Sequence, residues 1–534
     1  MFYIYRMTKL FSIIIISCLG AVVYSNTFHC SFHLDDFSYI VNNFAIKNIH
    51  NLQNIWNWWP CRFITFFTFA LNYHFDHLNV FSYHLFNLAV HLVSAILVWW
   101  LVNLTLSTPV MKDEGISRHA GLISLFAGLV FVSHPVQTQA VTFIWQRAAS
   151  MAALFYLASL CLYVKSRLPR QSRGLTGFYY IGSLVTAIAA MFTKENTITL
   201  PLMIVLYEFS FLKAKKAINW KHLIPFLLIF LLIPATWLLS GAEKFQARHS
   251  FVANISPLQY LLTEFRVIAT YIRLLFLPLH QNLDYDYSLS KSIFEAPVLF
   301  SFIFLAAILF WAQRIFSKYR LVSFTVFWFF LTLLPESSFF PFADVIEEHR
   351  LYLPMAGYSV FLAGAAYYLF GKNNIKSMVI ILSLIVAFNS FLTCQRNKIW
   401  RDDLTLWNDT VHRSPHKARA YGNRGMEYFK EGALAKAMAD LNKAIEINPN
   451  YVKAYNNRGL VYFKQGDLDQ AIADYSKAIE IDPRLAEAYS NRGLAYYDQG
   501  KFTQAIADDD KAIEINPNIA EVYYNRALVY KKYE

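Results

Sequence analysis

Apolar runs broken by short basic clusters recur from Phe11 to about Leu392, whereas after Pro415 the apolar positions fall at helical spacing in short stretches punctuated by prolines. Eleven runs approach the ~20 residues that a transmembrane helix needs: 10–28, 83–106, 120–134, 141–164, 176–193, 197–212, 223–240, 298–313, 321–340, 352–370 and 377–394. A further apolar stretch, 257–281, carries Glu264, Arg266 and Arg273 and ends at Pro278, which marks it as an external amphipathic or re-entrant segment instead of a span. The pattern predicts an all-α protein in three parts: a polytopic membrane bundle over 1–396, a connector over 397–414 and a helical array over 415–534.

In the last part, Pro449, Pro483 and Pro517 are spaced by 34, and Pro415 extends the series backward. Asn423-Arg424, Asn457-Arg458, Asn491-Arg492 and Asn525-Arg526 keep the same period. The phrase Ala-Tyr-x-Asn-Arg-Gly, followed by Ala-Ile-Ala-Asp and Lys-Ala-Ile-Glu-Ile-x-Pro, resembles the tetratricopeptide repeat, a pair of antiparallel helices. Three complete repeats and a terminal helix over 519–534 stack into an α-solenoid. The column Asn423, Asn457, Asn491 and Asn525 offers side-chain amides that can hydrogen-bond an extended peptide without reading its sequence. The alternative use of these asparagines is ordinary helix filling.

Composition sharpens the division. Of 534 residues, 56% are apolar and only 16% charged, too little charge to cover a soluble chain of this length. From Pro415 onward 17 basic and 17 acidic residues cancel, so the net +12 falls on residues 1–414. There the positive residues sit between apolar runs, as Arg6/Lys9, Lys112/Arg118, Lys165/Arg167/Arg170/Arg173, Lys213/Lys215/Lys216/Lys221, Arg314/Lys318/Arg320 and Lys372/Lys376. Clusters of this kind set membrane orientation, and their placement argues against nucleic acid as a partner. With the first run read as a retained signal anchor, the N-terminus is cytoplasmic and the repeats are extracytoplasmic. Compact loops and no retention signal favour a bacterial inner membrane, with the repeats in the periplasm.

This topology sends most chemically capable side chains to one face. Asp35 and Asp36 lie in the external loop 29–82, His134 and Arg147 flank the second loop, and Lys194 and Glu195 lie in the third. Asp284 and Asp286 follow the excluded segment, and Glu347, Glu348, His349 and Arg350 precede the tenth span. Lys194, His349, Asp284 and Asp286, taken singly, read as interfacial charges that snorkel to the headgroups. Their convergence with the adjacent pair Asp35-Asp36 instead points to an extracytoplasmic active site. His84, Asn87 and His91 share one face of the second span, where helix packing is the favoured use over metal binding. Cys30 and Cys61 share the first loop, and a disulfide between them is one reading.

Phe32-His33-Leu34-Asp35-Asp36-Phe37, then Tyr83-His84-Leu85-Phe86-Asn87 with His91, resembles the opening of C-type glycosyltransferases that use polyprenyl-phosphate sugars. His134-Pro135-Val136 with Arg147, Lys194-Glu195 and Glu348-His349-Arg350-Leu351-Tyr352-Leu353-Pro354 continue the likeness in order. With the repeats, the chain resembles the transmembrane and tetratricopeptide-repeat O-mannosyltransferases and their bacterial relatives. Where relatives commonly carry Arg-Pro, this chain has Pro60-Cys61-Arg62-Phe63.

The resemblance implies the C-type glycosyltransferase fold and an inverting transfer of a hexose, mannose by resemblance, from a polyprenyl-phosphate donor to hydroxyls of exported proteins. It makes Asp35 the base and Asp36 its partner, or the reverse; a carboxylate near its reference pKa of ~3.9 is ionised at neutral pH. Arg147 and Arg350 are candidates for the donor phosphate, with Arg62, His134, Lys194, Glu195 and Glu348 in support. A bridge from either arginine to Glu195 or Glu348 is the competing role. No metal motif occurs, and the chemistry requires no metal, although a divalent ion stays open. The repeats follow the last span with little linker, which favours a protein acceptor. Other readings are a non-catalytic scaffold gathering envelope proteins, or an enzyme acting on lipid or polysaccharide.

Overall fold

The computed structural model describes residues 2–169, 172–212, 220–240 and 255–533. Arg170, Lys213, Lys215 and Lys216 of the expected basic clusters lie outside the described residues. Every regular element among the described residues is helical, and the helices gather into two units: Met1–Leu283 with Tyr287–Asp402, and Asp284–Asp286 with Asp403–Glu534.

Among the described residues of the first unit eight helices are long and apolar enough to cross a membrane: Lys9–Thr27, Val80–Leu106, Gly115–Ser133, Ile144–Arg167, Arg173–Met191, Ala296–Ile315, Glu348–Gly371 and Ile375–Ile399. Val80–Leu106 starts where the Asn79 side chain accepts the Phe81 N–H. Its 27 residues reach about 40 Å at 1.5 Å per residue, more than a bilayer core of ~30 Å. The helix from Arg147 to Arg167 carries Ala148, Ala149, Ala152 and Ala153 and packs between Val80–Leu106 and Arg173–Met191, as small residues permit. Ala296–Ile315 instead leaves Phe300 and Trp311 exposed, a surface suited to lipid.

Three expected spans are shorter or interrupted. The stretch 197–212 becomes a 3-10 turn, the helix Leu200–Tyr207 and a π turn. The stretch 223–240 divides into Trp220–Ile229 and Leu232–Ser240, with Pro225 inside the first and Pro234 in the first turn of the second. Proline removes a backbone donor and interrupts the hydrogen-bond ladder. The ninth span is the 14-residue helix Arg320–Leu333, ended just before Pro335. The excluded segment is a single helix, Pro257–Phe276, opened by a Ser256/Gln259 capping box, and it is not among the eight.

The second unit holds the helix Asp403–Arg413 and three helix pairs: Ala418–Lys430 with Leu434–Ile447, Val452–Gln465 with Leu468–Ile481, and Ala486–Asp498 with Phe502–Ile515. A last helix, Ala520–Tyr533, packs on Phe502–Ile515. Gly432, Gly466 and Gly500 turn each pair with φ of 75°, 82° and 74°, a left-handed conformation that other residues adopt at a cost. Within each pair a glycine admits the facing helix: a Cβ on Gly459 would lie 2.5 Å from the Tyr475 ring.

Candidate active site

The acidic pair sits on a strained turn. Leu34 has φ of 45°, a conformation that costs an L-residue on the order of 1–2 kcal/mol. The turn sends the two carboxylates to different places. Asp36 is fully buried; its Oδ2 accepts the His33 N–H at 2.9 Å and its Oδ1 the Trp145 N–H at 2.7 Å. This clamps the first loop to the turn that opens the helix Arg147–Arg167. Burial pushes the Asp36 carboxyl up to about 7, against the opposing pull of these two N–H groups. Asp35 is exposed on the same turn.

From Trp145 a continuous chain of contacts runs through residues far apart in sequence. Its indole stacks on Tyr39 at 4.2 Å, and the Arg62 guanidinium lies 4.3 Å from the Trp59 ring and 5.5 Å from that of Trp145. Arg62 forks onto Glu195, with Nε and Nη2 each 3.1 Å from Oε2, while Trp59 Nε1 donates to Oε1 at 3.1 Å. Lys194, next to Glu195, pairs with Glu336 at 2.6 Å, and Asn196 donates to the same carboxylate. The Glu336 carbonyl accepts from Tyr260 and Arg350. Arg350 also pairs with Glu347 at 2.9 Å and stands 4.0 Å from Glu264, whose carboxyl burial pushes up to about 7. Lys194 and His349 are buried, so neither snorkels.

Several expected roles change. Arg147 is 0% exposed and holds the core together. It donates to Asn87 Oδ1 at 2.7 Å, Asn72 Oδ1 at 2.6 Å and the carbonyls of Thr68 and Tyr83, with its guanidinium against the rings of Phe69 and Phe86. Four of its five N–H groups are committed in this way, and among the described residues no bridge to Glu195 or Glu348 forms. Arg350 likewise pairs with Glu347, and the Glu348 carboxylate instead accepts from Gln281 Nε2 at 2.8 Å and Asn282 N–H at 2.7 Å. His134 bonds the Leu275 carbonyl through Nε2 and accepts the Val136 N–H at Nδ1, so it positions backbone. Asp284 belongs to the second unit, between Lys417 and Arg419.

Cys30 and Cys61 are free thiols, not a disulfide; Cys61 Sγ lies 2.8 Å from Thr236 Oγ1. His84 meets the Cys30 carbonyl and His91 meets Tyr352 and the Val132 carbonyl, which is the packing role. Among the described residues no three His, Cys, Asp or Glu side chains converge as metal ligands.

Beside the Leu275 and His134 junction is an apolar cavity of about 250 Å³, lined by Ile272, Phe276, Phe304, Phe329 and Phe361 and by Tyr358, whose ring meets His134 edge-on. Tyr39, Trp59, Trp145, Glu336 and Gln281 complete the site, and none stood out in the sequence. The only signal for Glu336 was its place after Pro335 at the end of an apolar run.

In the repeat unit the arginine beside each asparagine is a structural tie. Arg424, Arg458 and Arg492 fork onto Asp440, Asp474 and Asp508, with Nε to Oδ2 at 2.7 Å in each. The same arginines reach back through Nη1 to Asn408, Asn442 and Ser476. The asparagines themselves are half-buried, and Asn491 donates to Asn456 at 2.9 Å.

A family model described as TPR repeat matches residues 425–466, 461–500 and 493–532. The chain is 25% identical over 515 residues to the protein O-mannosyl-transferase Tmtc3 of Drosophila melanogaster, covering 80% of this chain and 54% of that protein. Human TMTC3, also named a protein O-mannosyl-transferase, is 25% identical with 78% and 49% covered, and human TMTC2 is 30% identical with 45% and 29% covered. The chain thus spans about half the length of the first two of these relatives. Among solved structures, the first TPR domain of human RPAP3 is 26% identical, covering 22% of this chain and 93% of that one, with a TM-score of 0.22.

Proposed function

We propose that the chain is a multispanning membrane glycosyltransferase that moves mannose from a polyprenyl-phosphate donor to hydroxyls of exported proteins, with inversion. The observation that carries the reading is the chain of buried and half-buried ion pairs and aromatic rings that leads from the Trp145 turn, to which Asp36 clamps the acidic loop, through Arg62 and Lys194 to Arg350. Relatives named protein O-mannosyl-transferases support the same reaction.

In this mechanism Asp35 takes the proton of the acceptor hydroxyl as its oxygen attacks the sugar C1. The bond from C1 to the phosphate oxygen breaks on the opposite side, and its electron pair leaves with the polyprenyl phosphate. Asp36 and the Trp145 N–H hold the Asp35 turn in place. Arg62, Lys194 and Arg350 supply positive charge near the leaving phosphate, oriented by Glu195, Glu336 and Glu347. Because all three cations are already paired with carboxylates, little reorganisation is needed when charge develops. The apolar cavity beside Tyr358 suits a section of the isoprenoid tail, and no metal is needed. The repeats bind the acceptor peptide through Asn423, Asn457, Asn491 and Asn525, and the N-terminus faces the cytoplasm of a bacterium whose periplasm holds the repeats.

Asp35→Asn, with insertion verified, tests the reading by intact-mass analysis of exported proteins. Loss of hexose additions is expected; persistence of those additions would remove Asp35 from the mechanism.

A further inference from the structure

The 34-residue period places Leu441, Tyr475 and Asp509 at the same position of the second helix in three successive repeats. Leu441 and Tyr475 are core side chains with no exposed surface. Asp509 is equally buried, at 0% exposure, and among the described residues neither of its carboxylate oxygens has a hydrogen-bond partner. It faces Gly493 across the helix pair, so closely that a Cβ there would lie 3.0 Å from Oδ1.

Two helices pack on Phe502–Ile515: Ala486–Asp498 and Ala520–Tyr533. The cations that face Asp509 from them are already engaged. Arg492 forks onto Asp508, and Arg526 pairs with Asp510. The neighbours on its own helix, Asp508 and Asp510, carry charge of the same sign. An ionised carboxylate buried with no partner is costly enough that such groups take up a proton instead. Each other buried aspartate of this helix position's neighbour, Asp440, Asp474 and Asp508, has its arginine; Asp509 has none.

We propose that Asp509 is a proton-operated latch of the third helix pair: helices Ala486–Asp498, Phe502–Ile515 and Ala520–Tyr533 close tightly when it is protonated and loosen when it ionises. Burial, then the charge of Asp508, pushes its carboxyl up to about 7. An unfolded aspartate titrates near ~3.9. With the folded value above the unfolded one, the proton-bound form gives a stability fully present below about 4 and lost as pH rises through about 7. From pH 5.5 to 8.5 the ratio of closed to open forms should therefore fall about thirtyfold.

Hydrogen exchange of the full chain in detergent tests this, with peptides from 486–533 compared with peptides from 418–481 and corrected for intrinsic exchange. Wild-type protection in 486–533 should drop about thirtyfold over that pH range while the reference region stays level. Asp509→Asn, nearly isosteric and uncharged, should remove the drop. Asp509→Leu should remove it and raise protection at every pH, which also answers the case in which the asparagine variant leaves this helix pair unfolded. A pH-independent wild type, or a thirtyfold drop that persists in Asp509→Leu, overturns the proposal.

Discussion

Replacing Asp36 by asparagine removes one of two acceptor oxygens while keeping shape. In the wild type each oxygen receives one backbone N–H, from His33 at 2.9 Å and from Trp145 at 2.7 Å. An amide offers one oxygen and an NH2 group, so one of these buried N–H donors is left facing another donor. Above pH 7, where the wild-type carboxyl is ionised, the orphaned donor costs about 1–3 kcal/mol, and the surviving bond loses its charge assistance, roughly 1 kcal/mol more. A total of about 2–4 kcal/mol is expected, concentrated where the first loop meets the Trp145 turn. Asp35→Asn, at an exposed position, should stay within about 0.5 kcal/mol of the wild type. Thermal unfolding in detergent, followed by tryptophan fluorescence, separates the two. Asp36→Asn should melt several degrees early yet keep transfer activity at low temperature, whereas Asp35→Asn should melt normally and transfer nothing. Normal melting of Asp36→Asn, or early melting of Asp35→Asn, would refute the division of roles.

Arg147→Met removes the donors that satisfy Asn87, Asn72 and the Thr68 and Tyr83 carbonyls, so a loss of about 3–5 kcal/mol and poor recovery of monodisperse protein by size exclusion are expected. Gly459→Ala drives a methyl to within 2.5 Å of the Tyr475 ring. The strain of about 1–3 kcal/mol, partly offset by better helix propensity, should be relieved by Tyr475→Leu, as denaturant midpoints of the single and double variants will report. A double-mutant cycle of Arg458→Met and Asp474→Asn should give a coupling of about 1 kcal/mol, because the pair is bidentate and mostly shielded; a value near zero would make it ordinary surface charge.

Helices were legible wherever the apolar period was long. Val80–Leu106 and Ala296–Ile315 match expected spans within a few residues, because length and composition alone decide them. The division of 223–240 was written in Pro225 and Pro234, but an average over the stretch hides single residues. In the site, the acidic pair and the Lys194-Glu195 doublet stood out as charges in apolar surroundings. Their partners did not: Arg62 meets Glu195 across 133 positions and Lys194 meets Glu336 across 142, and pairing at such separations is a property of packing. Arg147 and Arg350 looked alike as guanidinium groups near the membrane surface. Only the neighbours distinguish a core tie that faces asparagines and carbonyls from one that faces carboxylates. In the repeats the period exposed Asn and Arg equally, and the 16-residue step from each arginine to its aspartate was open to counting, yet a step of that size is meaningful only once two helices are folded back on one another.

That step has a consequence for how the array can change over generations. Arg424, Arg458 and Arg492 each reach an acceptor sixteen residues before and a carboxylate sixteen residues after, so Arg458 and Arg492 join their own repeat to the preceding one and Arg424 joins the first repeat to the helix Asp403–Arg413. Duplicating or deleting a whole 34-residue segment returns each arginine to equivalent partners at the new junction. An insertion of any other length within a segment separates a guanidinium from one partner or the other. Copy number is therefore free to drift by recombination, while phase is policed at every copy.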